Sequence, residues 1–113
     1  VSKYNYSERV PILKVSEMYL IAAETAATME LAAQWFNRLQ YHRGLPDEEL
    51  VIDNFKERLL QEYAKEFLAE GQLFYAYKRM NVSKVPISNT PIDNPGIVYT
   101  LPLPIENTFF TSE

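Results

Sequence analysis

The chain has 113 residues, is 47% hydrophobic and 23% charged, contains no cysteine and carries a formal net charge of -4. This length fits one compact domain, and this balance argues against disorder throughout. The missing cysteine excludes disulfides, iron–sulfur clusters and thiolate zinc, and scattered lysines and arginines disfavour a nucleic-acid partner.

Residues 1–12 are short and polar-aromatic, include Val10-Pro11, and read as an extended lead-in. Proline stands at 11, 46, 86, 91, 95, 102 and 104, so residues 12–45 and 47–85 are free to be helical. A first helix is expected over 13–28. Its apolar run from Met18 to Ala23, with Val15 a turn earlier, is greasy on more than one side and calls for cover by other helices. Glu17 and Glu24 bracket that run, project from nearly the same side, and need partners beside a buried stripe. Ser16 reads as a helix-start residue rather than a nucleophile.

A break near Thr28–Glu30 leads to a second helix over 30–43. Leu31, Ala32, Trp35, Phe36 and Leu39 form its apolar face. Arg43-Gly44 closes it with a cation in the last turn and a glycine suited to the left-handed cap. So short a break favours an antiparallel helix hairpin. The acidic connector Asp47-Glu48-Glu49 follows Pro46 and has the makings of a single helical turn. Asp53 is the expected N-cap of a third helix over 54–70, whose inner row is Phe55, Leu59, Tyr63 and Phe67. Gly71 interrupts, and a fourth helix runs to Arg79. The predicted class is all-α, with tetratricopeptide-like helix hairpins over 13–80. The proline-rich tail, 81–113, reads as irregular, with a short strand at Ile97–Leu101. Asn81-Val82-Ser83 matches a glycosylation sequon, a pattern common by chance.

No catalytic or metal-binding residue stands out, and no cofactor is expected. Glu62, Glu66 and Glu70 form a carboxylate row, but a di-iron helix bundle needs Glu-x-x-His pairs, and the single histidine, His42, has no such spacing. The row is better read as partners for Arg58, Lys65, Arg79 or Arg43, and His42 as a surface residue at a helix end. Three glycines, none close together, give no phosphate loop. No apolar run reaches the roughly 20 residues of a membrane span. Eight Tyr, six Phe and one Trp remain, clustered locally at Phe74, Tyr75 and Tyr77. Exposed rings with a polar tip suit carbohydrate stacking, although packing is the commoner role of any one ring.

Three blocks then resemble the C-terminal region of the SusD/RagB family of glycan-binding outer-membrane lipoproteins. The first is Val10 to Glu24, with its basic residue followed by Ser16-Glu17-Met18-Tyr19-Leu20 and Ala23-Glu24. The second is Phe36-Asn37-Arg38-Leu39-Gln40-Tyr41-His42-Arg43-Gly44. The third runs from Glu62 to Arg79 and holds Glu66-Phe67, Glu70-Gly71 and Lys78-Arg79; the prolines at 102 and 104 also fit. The family often has arginine where Lys14, Tyr63 and Gln72 stand here, and an acid where Ala76 stands. The acid expected after the proline pair is displaced, with Asn107 at the position and Glu106 before it.

The resemblance implies helix pairs related to tetratricopeptide repeats. It implies a lipid-anchored, non-enzymatic protein on the outer membrane at the cell surface, bound to a TonB-dependent, SusC-like transporter to which it hands an oligosaccharide or other nutrient. The chain begins at Val1 and is expected to be a single-domain C-terminal fragment, its anchoring cysteine and most ligand contacts lying upstream. The ligand-binding residues are therefore left unknown. Glu17, Glu24, Arg43, Glu66, Glu70 and Arg79 map onto family positions that look structural. At least one of Glu17 and Glu24 is expected to meet Arg43 or Arg79. The alternative is a free-standing helical-repeat scaffold that binds a peptide or protein; a small hydrolase has no nucleophile–base pair to support it.

Overall fold

The computed structural model describes residues 12–85, 88 and 90–100. The readings that fall on 1–11 and 101–113 lie outside the described residues. Among those described the chain is helical and has no strand: α1 Val15–Glu24, α2 Met29–His42, α3 Ile52–Glu66, α4 Leu73–Arg79 and α5 Pro95–Val98. The all-α expectation holds, with different helix boundaries.

Helix α1 stops at Glu24, four residues before the expected end. Thr25 ends it by donating both its backbone N–H and its hydroxyl to the Ile21 carbonyl at 2.9 Å. Such side-chain competition with the helix ladder is characteristic of threonine. The same residue type starts the next helix, where Thr28 Oγ1 accepts from the Leu31 N–H. Gly44 closes α2 in the left-handed region, at φ 72°.

Helix α3 begins earlier than expected, and Asp53 is not its N-cap. Val51 holds that position, its carbonyl accepting from the Asn54 N–H while Asn54 Oδ1 accepts from the Val51 N–H. Asp53 instead lies in the first turn, where a carboxylate still favours the helix dipole. The connector forms no helical turn. Asn37 holds it extended against α2, its amide donating to the Glu48 carbonyl and its Oδ1 accepting from the Glu48 N–H. At the far end α3 gives out at Phe67, and both Ala69 (φ 60°) and Gly71 (φ 71°) adopt the left-handed region to turn into α4.

The described part of the tail, 81–85, 88 and 90–100, holds some regular structure. An isolated antiparallel bridge joins Lys84 to Pro91. The expected strand at Ile97–Leu101 is absent where described: Asn94 (φ 50°) turns the chain and Pro95, at the first helical position, starts the short α5. Proline's fixed φ and missing N–H suit that position and not a strand interior.

Helix α1 packs on α2 and α3, and α4 packs on α3. The main core joins Leu20 and Ala23 of α1 to Phe36 and Leu39 of α2, Leu50 of the connector, Leu59 and Tyr63 of α3, Phe67 and Ala76. A second cluster, Leu60, Tyr77, Val82 and Tyr99, fastens the tail to α3 and α4, with the Tyr99 hydroxyl donating to the Val82 carbonyl at 2.7 Å. Helix α1 is covered on one side only among the described residues: Leu20 is fully buried, whereas Val15 is 71% and Met18 46% exposed.

Candidate functional site

Two features carry the polar chemistry of the molecule: a charge network inside the helix frame and an aromatic groove on its outside. The network is centred on the predicted carboxylate row of α3. Glu62 and Glu66 lie one turn apart on α3, whereas Glu70 falls in the turn beyond its end. Arg43 reaches across from the end of α2 to Glu62 and, at 2.7 Å, to Glu66. Glu62, wholly buried, is also paired with Lys65 and lies 3.7 Å from Arg58. Lys14, just before α1, holds Glu66 at 2.8 Å and Glu70 at 2.7 Å. Burial disfavours the Lys14 ammonium, yet hydrogen bonds to Glu66 and Glu70 outweigh it and raise its pKa. Burial likewise pushes the Glu66 carboxyl up, while hydrogen bonds from Lys14 and Ser16 hold it below the ordinary range. Ser16 does not cap α1, whose N-cap is Lys14; its side chain instead ties the first turn to Glu66 of α3.

The α1 carboxylates behave differently from each other. Glu24 accepts from Arg79 at 2.7 and 2.8 Å and from the Tyr63 hydroxyl at 2.7 Å, so one of the two α1 glutamates makes the expected contact with Arg43 or Arg79. These bonds overcome the effect of burial and depress the Glu24 pKa; burial and Glu24 together push the Tyr63 phenol up. Glu17 has no hydrogen bond or ion pair among the described residues and lines a hollow of about 310 Å³ with Glu24, Tyr63 and Tyr75. Arg79, expected as a partner of the α3 row, serves Glu24 instead. Every charge of this network except Glu17 is matched internally. It braces the helices against one another.

The groove is the larger feature, about 820 Å³, between α1, α2 and the connector. Tyr19, Trp35 and Tyr41 contribute its rings, and Glu30, Arg38 and Asp47 its charges. The rings form a ladder. Tyr19 lies 6.1 Å from Trp35 and 5.8 Å, stacked, from His42, which meets Tyr41 edge-on at 5.7 Å. His42 is exposed, as expected, and serves as a spacer between tyrosines. The connector wall is fixed twice. Asn37 grips the Glu48 backbone, and Arg58 forks both Glu48 oxygens, holding that carboxyl below its ordinary pKa.

Sequence reasoning placed the aromatic cluster elsewhere, at Phe74, Tyr75 and Tyr77. The structure divides it: Tyr77 is buried in the second cluster, whereas Phe74 packs on Tyr75 and Tyr99. The groove draws its rings from two helices, so no local pattern reveals it. The cue was Trp35, Arg38 and Tyr41, three residues apart along one helix side.

The fold and its matched charges form a braced helical frame. The family model described as the SusD family matches residues 1–97, and no curated protein and no solved structure gives a match. The chain belongs to the SusD family and is a SusD-like nutrient-binding protein. No helix among the described residues is long and apolar enough to cross a membrane.

Proposed function

We propose that this chain is the single-domain C-terminal part of a lipid-anchored outer-membrane protein that binds glycan at the cell surface and hands it to a TonB-dependent, SusC-like transporter. The helix pairs form the end of a tetratricopeptide-like stack, and the protein binds its ligand without cleaving it. One observation carries this reading: the family match spans residues 1–97, and the ion pairs Lys14–Glu66, Arg43–Glu66 and Glu24–Arg79 join the three blocks on which the resemblance rests. A frame locked by charges drawn from all three blocks is a rigid support for binding.

The test is isolation of the tagged protein from its native outer membrane. A TonB-dependent transporter should co-purify in near-equal amount, and the protein should partition with lipid-modified proteins. Recovery without any transporter contradicts the delivery role. Release of reducing ends from a bound glycan contradicts the non-enzymatic role.

A further inference from the structure

We propose that the groove between α1, α2 and the connector is itself a saccharide contact site, one that takes neutral sugar rings and disfavours acidic ones. Its ligand class rests on the glycan-binding reading above; its location and charge preference rest on the geometry. Ligand contact thus extends into this part of the protein rather than being confined to upstream segments.

The rings are the first argument. Trp35 is 44% and Tyr41 71% exposed on the outer side of α2, where neither serves the core. Tyr19, itself part of the groove wall, contacts Trp35 and, through His42, Tyr41, so the rings support one another. A pyranose presents an apolar C–H face that covers such a ring, while its hydroxyls demand donors and acceptors around the rim.

The rim supplies them. Glu30, Arg38 and Asp47 line the groove and have no hydrogen bond or ion pair among the described residues. Asp47 is carried on the wall that Asn37 and Arg58 pin down, so its placement is built in. A volume of about 820 Å³ is in the range of ligand pockets and exceeds one sugar ring. A purely apolar occupant would leave three charged side chains facing it unmatched.

Charge sets the preference. Two carboxylates face one guanidinium, giving the groove a net negative charge on a chain that is itself at -4. A uronate brought here meets repulsion that a neutral sugar does not. Arg38 retains a role as a hydroxyl donor.

The experiment is calorimetric titration of the protein with maltoheptaose, cellohexaose, xylohexaose and mannohexaose, and with hexagalacturonate as the acidic probe. At least one neutral probe should bind. Trp35→Ala and, separately, Tyr41→Ala should each weaken it tenfold or more, without changing the thermal melt. Hexagalacturonate should bind at least fivefold more weakly than the best neutral probe, and Asp47→Asn should narrow that gap. Neutral binding that both aromatic variants leave intact overturns the groove while sparing the glycan-binding reading. Absence of binding to every probe counts against both. Equal or tighter binding of hexagalacturonate overturns the charge preference.

Discussion

Arg43 offers the sharpest perturbation of the frame. Its guanidinium forks two α3 carboxylates one turn apart, Glu62 and Glu66, and so clamps the end of α2 onto α3. Removing one partner of a buried ion pair typically costs ~3–5 kcal/mol, because the remaining charge is left without compensation. Two features of this site reduce that cost. The Arg43 side chain is 26% exposed, and its partners keep other cations: Lys65 and Arg58 near Glu62, Lys14 on Glu66. We therefore expect Arg43→Met to lose about 2–3 kcal/mol, which corresponds to roughly 10 °C or more in Tm for a domain of this size. Arg43→Lys should recover only part of the loss, since an ammonium cannot fork two carboxylates in one plane. Urea unfolding followed by far-UV circular dichroism measures both. A loss below about 1 kcal/mol for Arg43→Met, or full recovery by lysine, would refute the clamp.

Three further outcomes follow from the same frame. Tyr63→Phe deletes a hydroxyl that donates to Glu24 and should cost about 1–2 kcal/mol in urea unfolding, whereas Tyr77→Phe deletes a buried hydroxyl with no partner among the described residues and should change stability by less than about 0.5 kcal/mol. Acid should destabilise the fold through Glu24, Glu48 and Glu66. Their folded pKa values lie below the ordinary 4.5, so their stabilisation is present above pH 4.5 and is lost as pH falls through the folded values; a stability curve flat from pH 6 to 3 would contradict this. Ala69 is exposed and holds φ 60°, a conformation that strains an L-residue, so Ala69→Gly should raise stability by about 0.5–1 kcal/mol, and a lower Tm would count against the strain.

Much of the frame was legible in the sequence because it depends on local signals. Proline placement marked the helical blocks, and Arg43-Gly44 marked the end of α2. Two of the missed boundaries share one cause, competition from short polar side chains. Thr25 captures the Ile21 carbonyl and ends α1, and Asn54 reaches back to Val51 and moves the start of α3 ahead of Asp53. The pairing of charges was only half legible. A contact of Glu17 or Glu24 with Arg43 or Arg79 was expected from the blocks, whereas Lys14 with Glu66 and Glu70 spans more than fifty residues and has no local signature. Glu17 was expected to need a partner as Glu24 does, yet it opens onto a hollow. Of the aromatic groove only the Trp35, Arg38 and Tyr41 spacing was legible, since Tyr19, Trp35 and the connector wall meet only once α1, α2 and residues 45–51 have packed. Helix α1 also remains more exposed than its apolar run implies. Val15 and Met18 lie open among the described residues, although the apolar run calls for cover there.

The central claim is that this SusD-family protein binds a glycan at the cell surface and leaves it intact. The most direct measurement is a glycan-array screen of the protein, with every hit incubated afterwards and assayed for new reducing ends. The account predicts binding to at least one neutral oligosaccharide and no new reducing ends over the incubation. Binding to none, or cleavage of one that binds, would contradict it.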